Sequence, residues 1–234
     1  MFDFGGKHVL VTGGTSGIGR AIAEAFSQAG ANVVAIGLAS EEILPPPVRT
    51  DIIDITNTGA VDQLVDRLPE IHILVNAAGM IRRDDEFNLD TFIQVLDLNL
   101  VSVMRLCTAA HPKLKASAGS IVNIASMLSF FGGGRVPAYS ASKGGIAQLT
   151  RSLAIAWAAD HIRVNAVAPG WISTPLTKAL QSDPARSAEL LSRTPAKRWG
   201  LPEEVAGPVL FLASPLSSFM TGAIIPVDGG YSAY

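Results

Sequence analysis

Tyr139 and Lys143 stand four residues apart in Tyr139-Ser140-Ala141-Ser142-Lys143, inside a stretch that reads as helix over Ala138–Asp160. Residues at i and i+4 share one helical face. A phenol beside an ammonium can pass a proton to or from an alcohol oxygen while hydride moves at its carbon. A free tyrosine, with a pKa of about 10, is too weak a base near neutrality. Lowering it by about three pH units takes ~4 kcal/mol of preferential phenolate stabilisation. A neighbouring ammonium favours the phenolate in the required direction. The same two residue types also sit together on ordinary solvent-facing helices, so the pair needs support from elsewhere in the chain.

That support is Thr12-Gly13-Gly14-Thr15-Ser16-Gly17-Ile18-Gly19. The segment follows a β-branched run, His8–Thr12, and opens a helical stretch, Gly17–Gln28. Glycines at 13, 17 and 19 permit a tight turn and close backbone approach to a ligand. The helix N-terminus offers free N–H groups and partial positive charge to a pyrophosphate. A turn of this kind also joins strand to helix without any ligand, but its place after the first strand favours a dinucleotide.

These residues need a scaffold, and the hydrophobic pattern describes one. Further short strands read at Asn32–Ile36, Ile71–Asn76, Ser120–Ala125, Arg163–Ala168 and Ala223–Val227, with long helices at Leu89–Lys115 and Ala138–Asp160. The alternation predicts an α/β fold: one Rossmann-type, doubly wound parallel sheet of about seven strands with helices on both faces. The crossover between the second and third strands is short. Pro45-Pro46-Pro47 ends any helix there, leaving about one turn around Ser40–Leu44 and an edge strand at Val48–Ile53. No repeat or linker divides the chain, which reads as one domain over residues 1–234.

Composition narrows the function classes. Hydrophobic residues make up 48% of the 234 and charged residues 16%, with a net charge of -2. That predicts a substantial core and argues against disorder and against nucleic acid as a partner. Cys107, the only cysteine, lies in an apolar stretch and reads as a small buried hydrophobe. His8, His72, His111 and His161 are scattered without ligand spacing, so no metal site is expected. The N-terminus has no signal-peptide pattern and no uninterrupted apolar run reaches about 18 residues, so no membrane partner and a cytoplasmic location are expected.

The Gly-x3-Gly-x-Gly spacing resembles that of the short-chain dehydrogenase/reductase family. Asn76-Ala77-Ala78-Gly79, Asn99, Ser126, the Tyr139–Lys143 segment and Pro169-Gly170 extend the resemblance over essentially the whole chain. The resemblance implies that Tyr139 is the general acid/base, Ser126 hydrogen-bonds the substrate oxygen, Lys143 holds the cofactor ribose and tunes Tyr139, and Asn99 positions a relay water. Asn99 could instead mark only a structural helix interruption. Gly13, Thr15, Ser16, Gly17, Ile18 and Gly19 would bind the pyrophosphate end. Gly37, Leu38, Asp54 and Ile55 would flank the adenosine, and Asn76, Ala77 and Gly79 its ribose. Pro169, Gly170, Ile172 and Thr174 would cover the nicotinamide. Ala77 departs from the family's Asn-Asn-Ala-Gly, which puts one strand-stabilising hydrogen bond in doubt.

An acidic residue ending the second strand would select NAD by binding the ribose 2′-OH. Gly37 stands there instead. The cations that would select NADP are also missing, since Ser16 and Leu38 occupy their places. The balance falls to NAD, and Glu41 and Glu42 add slightly to it.

Gly79-Met80-Ile81-Arg82-Arg83, the segment from Ile124 to Phe130, Arg135–Tyr139 and Arg198–Pro202 resemble sugar-acid dehydrogenases that oxidise a secondary alcohol, the 2-dehydro-3-deoxy-D-gluconate and gluconate 5-dehydrogenases among them. A carboxylated sugar suits arginine forks. Arg82 and Arg135 are the substrate candidates, with Met127, Trp171 and Trp199 as pocket walls, and Arg83 lies beside them. These arginines could equally pair with Asp84, Asp85 or Glu86. Residues 176–198 read as a substrate lid. The two long helices are apolar on more than one face, and the resemblance implies a homotetramer. The competing readings are a 3-oxoacyl thioester reductase, a general secondary-alcohol dehydrogenase, or a non-catalytic dinucleotide-binding protein.

Overall fold

A computed structural model describes residues 2–38 and 44–233. Its seven strands are β1 (His8–Thr12), β2 (Asn32–Gly37), β3 (Arg49–Ile52), β4 (Ile73–Asn76), β5 (Ser120–Ile124), β6 (Arg163–Pro169) and β7 (Ile224–Val227). They form one parallel sheet in the order β3-β2-β1-β4-β5-β6-β7. The helices are α1 (Gly17–Gln28), α2 (Thr58–Arg67), α3 (Leu89–Leu96), α4 (Ser102–Ala116), α5 (Pro137–Ala156), α6 (Lys178–Gln181), α7 (Pro184–Ser192) and α8 (Pro202–Ala213).

The sheet is covered on both faces, which is why its central strands are apolar without alternation. Every residue of β4 and β5 is buried. Successive side chains point to opposite faces. Leu74 joins Leu64 of α2, Leu106 of α4 and Ile146 of α5 in one core cluster. Its neighbour Val75 joins Ile22 and Phe26 of α1 and Val205 and Val209 of α8 in the other. The strand order reverses between β1 and β4, so the loops after these strands part and leave a crevice at their C-terminal ends.

The expected doubly wound sheet is present, with several local differences. β4 begins at Ile73 rather than Ile71. The helix expected as one piece over Leu89–Lys115 contains a π turn at Asp97–Val101 between α3 and α4. The run Leu89–Ala116 is long and apolar enough to cross a bilayer by length and composition. Here Val95, Leu106, Ala110 and Leu114 are buried within the protein. The second long helix ends at Ala156, and a 3-10 turn completes it to Asp160. The sequence pattern did not single out α2 or α8; α8 carries Gly207 and an internal Pro208 that blur its periodicity. The turn expected around Ser40–Leu44 lies outside the described residues except for Leu44, which is buried. β3 occupies the expected edge, pairing with β2.

Polar ties hold the crevice in shape. The Thr12 hydroxyl accepts the Ala77 and Ala78 N–H groups, both at 3.1 Å. The Asn76 amide donates to Asn123 Oδ1 at 2.8 Å, and Asn123 Nδ2 donates to Thr150 Oγ1 at 2.9 Å. β4, β5 and α5 are thereby joined despite Ala77. Asn123 is fully buried, so breaking this chain leaves amide and hydroxyl groups unpaired in the core. Asn123→Leu is expected to lower folding stability by about 2 kcal/mol. Chemical denaturation reads this directly, and an unchanged midpoint would remove the network from the account.

Candidate active site

A cleft of about 530 Å³ opens at the C-terminal ends of β1 and β4. Its floor is the glycine turn. Gly13 has φ +61°, and a Cβ there would meet Ala78 Cα at 2.7 Å. A Cβ on Gly19 would meet the Gly13 carbonyl oxygen at 2.2 Å. These glycines let the turn fold on itself beneath the loop after β4. Ser16 caps α1 through its backbone position only, with no side-chain bond to the helix. The first-turn N–H groups and the positive end of α1 therefore face the cleft, where Gly17, Ile18 and Gly19 line the wall. This cradle fits a dinucleotide pyrophosphate.

The adenosine-side candidates are spread along the edge. Thr15 is buried, and Leu38 is 64% exposed. A Cβ on Gly37 would lie 2.2 Å from Thr15 Oγ1. A side chain at position 37 would require Thr15 to move. Asp54 folds on itself, accepting from Thr56 N at 2.9 Å and Thr56 Oγ1 at 2.7 Å. The Ile55 side chain packs in the core. The Asn76 side chain turns inward to Asn123, whereas Ala77 and Gly79 line the cleft.

Ser126, Tyr139 and Lys143 converge on one wall of the cleft. Ser126 starts a 3-10 turn after β5, accepting from Leu128 N at 3.2 Å. Its side chain stands beside the Tyr139 phenol and favours the phenolate. Ser129 in the same turn donates to the Lys143 carbonyl at 2.6 Å, clamping α5 to the end of β5. The Lys143 ammonium donates to the Ile124 carbonyl at 2.7 Å and lies 5.6 Å from the Tyr139 ring centroid. Burial pushes the Lys143 pKa down to about 8.

Desolvation raises the Tyr139 pKa, and Glu86 adds to the rise. Hydrogen bonding from Ser126 and the charge of Arg83 oppose it. The depressed tyrosine expected from Lys143 is therefore not a property of the free protein. The ammonium is committed to the Ile124 backbone carbonyl.

Asn99 occupies the π turn. Its Oδ1 accepts from Met80 N, and its Nδ2 donates to Met80 O, both at 2.9 Å. Nδ2 also donates to Ser142 Oγ at 3.2 Å, and that hydroxyl donates to the Tyr139 carbonyl at 2.7 Å. Asn99 ties the loop after β4 to α5 and stands next to Gly79.

On the opposite wall, Pro169, Gly170, Trp171, Ile172 and Thr174 line the cleft. A Cβ on Gly17 would lie 3.4 Å from Thr174, so this turn reaches across to the glycine turn. Ile172 and Gly200 bridge as strands. Trp199 does not line the cleft. It donates to Ser187 Oγ at 2.9 Å and meets the Trp171 ring edge-on at 6.0 Å, pinning α7.

The structure sorts the arginines. The Arg82 side chain is not on the cleft wall, while Arg83 and Met127 are. Arg135 borders the cleft but is held by Asp84, with Nε donating to Oδ1 at 2.7 Å and the second nitrogen to Oδ2. This is the pairing that the sequence left open for Arg135, and it does not favour Arg135 as a substrate contact. Segment 176–198 contains α6 and α7 and brings Arg186, Glu189 and Arg193 to the cleft rim. Arg193 lies over the Tyr231 ring at 5.0 Å. Sequence reasoning singled out neither lid arginine, and it offered Glu86 only as a partner for the arginines. The acidic run Asp84-Asp85-Glu86 resembles any solvated patch, and α7 lies far along the chain from Tyr139.

Comparison with known proteins agrees with this geometry. A family profile described as Enoyl-(Acyl carrier protein) reductase matches residues 13–232. The chain is 42% identical to 2-dehydro-3-deoxy-D-gluconate 5-dehydrogenase of Escherichia coli (strain K12), over 99% of this chain and 98% of that one. It is 41% identical to the enzyme of the same name from Bacillus subtilis (strain 168), over 98% and 96% of the two chains. A crystal structure of gluconate 5-dehydrogenase from Burkholderia cenocepacia J2315, in complex with NADP and tartrate, superposes with a TM-score of 0.92 at 34% identity, covering 100% of this chain and 98% of that one. With a doubly wound sheet, a glycine cradle at its switch point and Ser126, Tyr139 and Lys143 on one wall, the chain belongs to the short-chain dehydrogenase/reductase family, as a nicotinamide-dependent oxidoreductase acting on a CH–OH group.

Proposed function

We propose that this protein interconverts a secondary alcohol and a ketone on a sugar acid, with NAD as the preferred cofactor. The observation that carries the substrate class is the charge of the cleft. Arg83, Arg186 and Arg193 border it, and none of them forms an ion pair among the described residues, whereas Arg135 and Arg198 each do. Unpaired guanidinium groups beside the reacting centre suit a carboxylate. The relatives named for sugar acids and the tartrate in the Burkholderia structure point the same way.

In this reading the nicotinamide ring supplies hydride exchange. Tyr139 Oη takes the proton of the substrate hydroxyl during oxidation and returns it during reduction. Ser126 Oγ hydrogen-bonds the same oxygen and holds its carbon within reach. Lys143 would hold the cofactor ribose. Asn99 fixes Met80 and, through Ser142, the first turn of α5, and would position a water of the proton relay beside Lys143. The Pro169–Thr174 turn and the lid at 176–198 exclude water from the reacting carbon.

The preference for NAD rests on absence of positive charge. From Ile36 to Val48 the chain contains no lysine or arginine, and Ser16 stands in the glycine turn. A ribose 2′-phosphate, as in the NADP of the Burkholderia enzyme, would receive no guanidinium from these two segments. Exposed Leu89, Ile93 and Ile155 on α3 and α5, at 69%, 54% and 81% exposure, suit burial by further copies in a cytoplasmic homotetramer. Light scattering during size-exclusion chromatography tests this, and a monomer would contradict it.

Tyr139→Phe is expected to bind cofactor normally and to lower turnover by roughly 10³-fold or more; near-normal turnover would sink the mechanism. Alcohol oxidation, which needs the phenolate, should strengthen on the alkaline side, because burial holds the Tyr139 pKa high. Lys143→Met should lose turnover and reveal the cost of the buried ammonium. Its folded pKa is lowered to about 8, so the wild type gains stability as pH rises through that value toward the unfolded pKa. The difference in melting temperature between wild type and K143M should therefore shift in favour of the wild type over that range. Measuring kcat/KM with both cofactors against sugar acids, polyols and 3-oxoacyl thioesters tests cofactor and substrate together. A strong NADP preference, or activity confined to thioesters, would overturn the corresponding half. Arg186→Ala and Arg193→Ala should each raise KM for a sugar acid by about tenfold and leave neutral polyols unaffected.

A further inference from the structure

Glu86 is a buried carboxylate with both oxygens committed to backbone. It is 1% exposed and sits in the short 3-10 turn Asp85–Phe87, far along the chain from α5. Its Oε1 accepts the Arg82 N–H at 2.9 Å. Its Oε2 accepts the Tyr139 N–H, also at 2.9 Å, across a sequence separation of 53 residues.

The first turn of α5 needs such a partner. Val136, at the N-cap, has no side chain able to accept a hydrogen bond, and Pro137 follows it at N1. Ser140 N is satisfied by the Val136 carbonyl. The Tyr139 N–H belongs to the group of first-turn donors that a helix leaves without an internal partner. A carboxylate there also meets the positive end of the helix dipole. The same strip of chain grips the approach to α5 a second time. Asp84 N donates to the Arg135 carbonyl at 2.9 Å, and the Asp84 carboxylate binds the Arg135 guanidinium.

We propose that Glu86 is the positioning residue of the acid/base: it caps the catalytic helix from outside at the backbone of Tyr139 and sets both the place of the phenol and the charge around it. The inference rests on the acid/base role proposed for Tyr139. The groups acting on the phenol are Arg83 from the loop after β4, Glu86 from the 3-10 turn and the Ser126 hydroxyl from the end of β5, with the Lys143 ammonium of α5 at 5.6 Å from the ring centroid. Glu86 is the anion among them. Its negative charge opposes ionisation of Tyr139, and Arg83 and Ser126 favour it.

Two substitutions separate position from charge. Glu86→Gln keeps the shape, removes the charge and presents an NH2 to one of two N–H donors. Glu86→Asp keeps the charge and shortens the reach. The Tyr139 ionisation is read without substrate, from near-ultraviolet tyrosinate absorbance of each protein minus that of its own Tyr139→Phe counterpart. In E86Q, Tyr139 should titrate lower by about half a pH unit or more, and kcat should fall ten- to a hundredfold or so, with cofactor affinity unchanged. In E86D, the titration should stay near that of the wild type while kcat falls. An unmoved titration in E86Q overturns the proposal. So does a parallel loss of kcat, cofactor affinity and melting temperature, which marks a merely structural role. If E86Q is insoluble, E86D decides: wild-type kcat there overturns the proposal. A shifted titration in a protein that oxidises no sugar acid would reject the substrate reading and leave the role of Glu86 standing.

Discussion

A parallel sheet that grows outward in both directions from β1 must part its loops where the growth reverses, and every functional group described here depends on that parting. The crevice lies at the ends of β1 and β4. It stays open because backbone crosses backbone at close quarters. Gly13 passes beneath Ala78 at a distance that excludes any side chain. The Thr12 hydroxyl then satisfies the two N–H groups that the departing β4 exposes. One short threonine and one glycine hold the two halves of the sheet apart and together at once.

The catalytic wall is built by ties to α5 from four places. Ser129 grips the Lys143 carbonyl, Asn123 reaches Thr150, Asn99 acts through Ser142, and Glu86 takes the Tyr139 N–H. Helix propensity alone would leave α5 free to slide or rotate along the sheet. Buried hydrogen bonds of defined length do not permit that, because leaving any one unmade costs about 1–3 kcal/mol. The π turn around Asn99 belongs to the same logic. An extra residue in the helix turns the amide toward Met80 and Ser142, away from the helical ladder.

Charge is distributed unevenly along the cleft. The chain after β2 contains no lysine or arginine from Ile36 to Val48, and the rim near Tyr139 gathers Arg83, Arg186 and Arg193. Arg135 is neutralised by Asp84. One half of the cleft is thus lined by backbone N–H groups and the other by guanidinium groups. Tyr139 sits between them, its phenol raised in pKa by burial in the free protein. The positive charge that would ionise it is not provided by Lys143 alone.

The sequence by itself determined what is local or periodic. The glycine turn, the alternation of strand and helix, the Tyr139–Lys143 face and the triple proline that shortens the second crossover depend on spacing within a few residues, and all of these segments were legible. Boundaries drifted where tertiary pairing decides them, as at Ile71 and at the π turn. Long-range contacts were legible only as open alternatives. The sequence offered Asp84, Asp85 and Glu86 alike to Arg135, and the fold chose Asp84 across 51 residues. Nothing in the acidic run at 84–86 marks Glu86 as buried and its neighbour Asp85 as exposed. Tertiary structure alone chose Arg83 over Arg82, carried the α7 arginines to the cleft rim and set Thr15 against Gly37. The physical reason is the same in each case. A hydrogen bond or ion pair is decided by where two distant backbones are held, and that follows from the packing of the whole sheet.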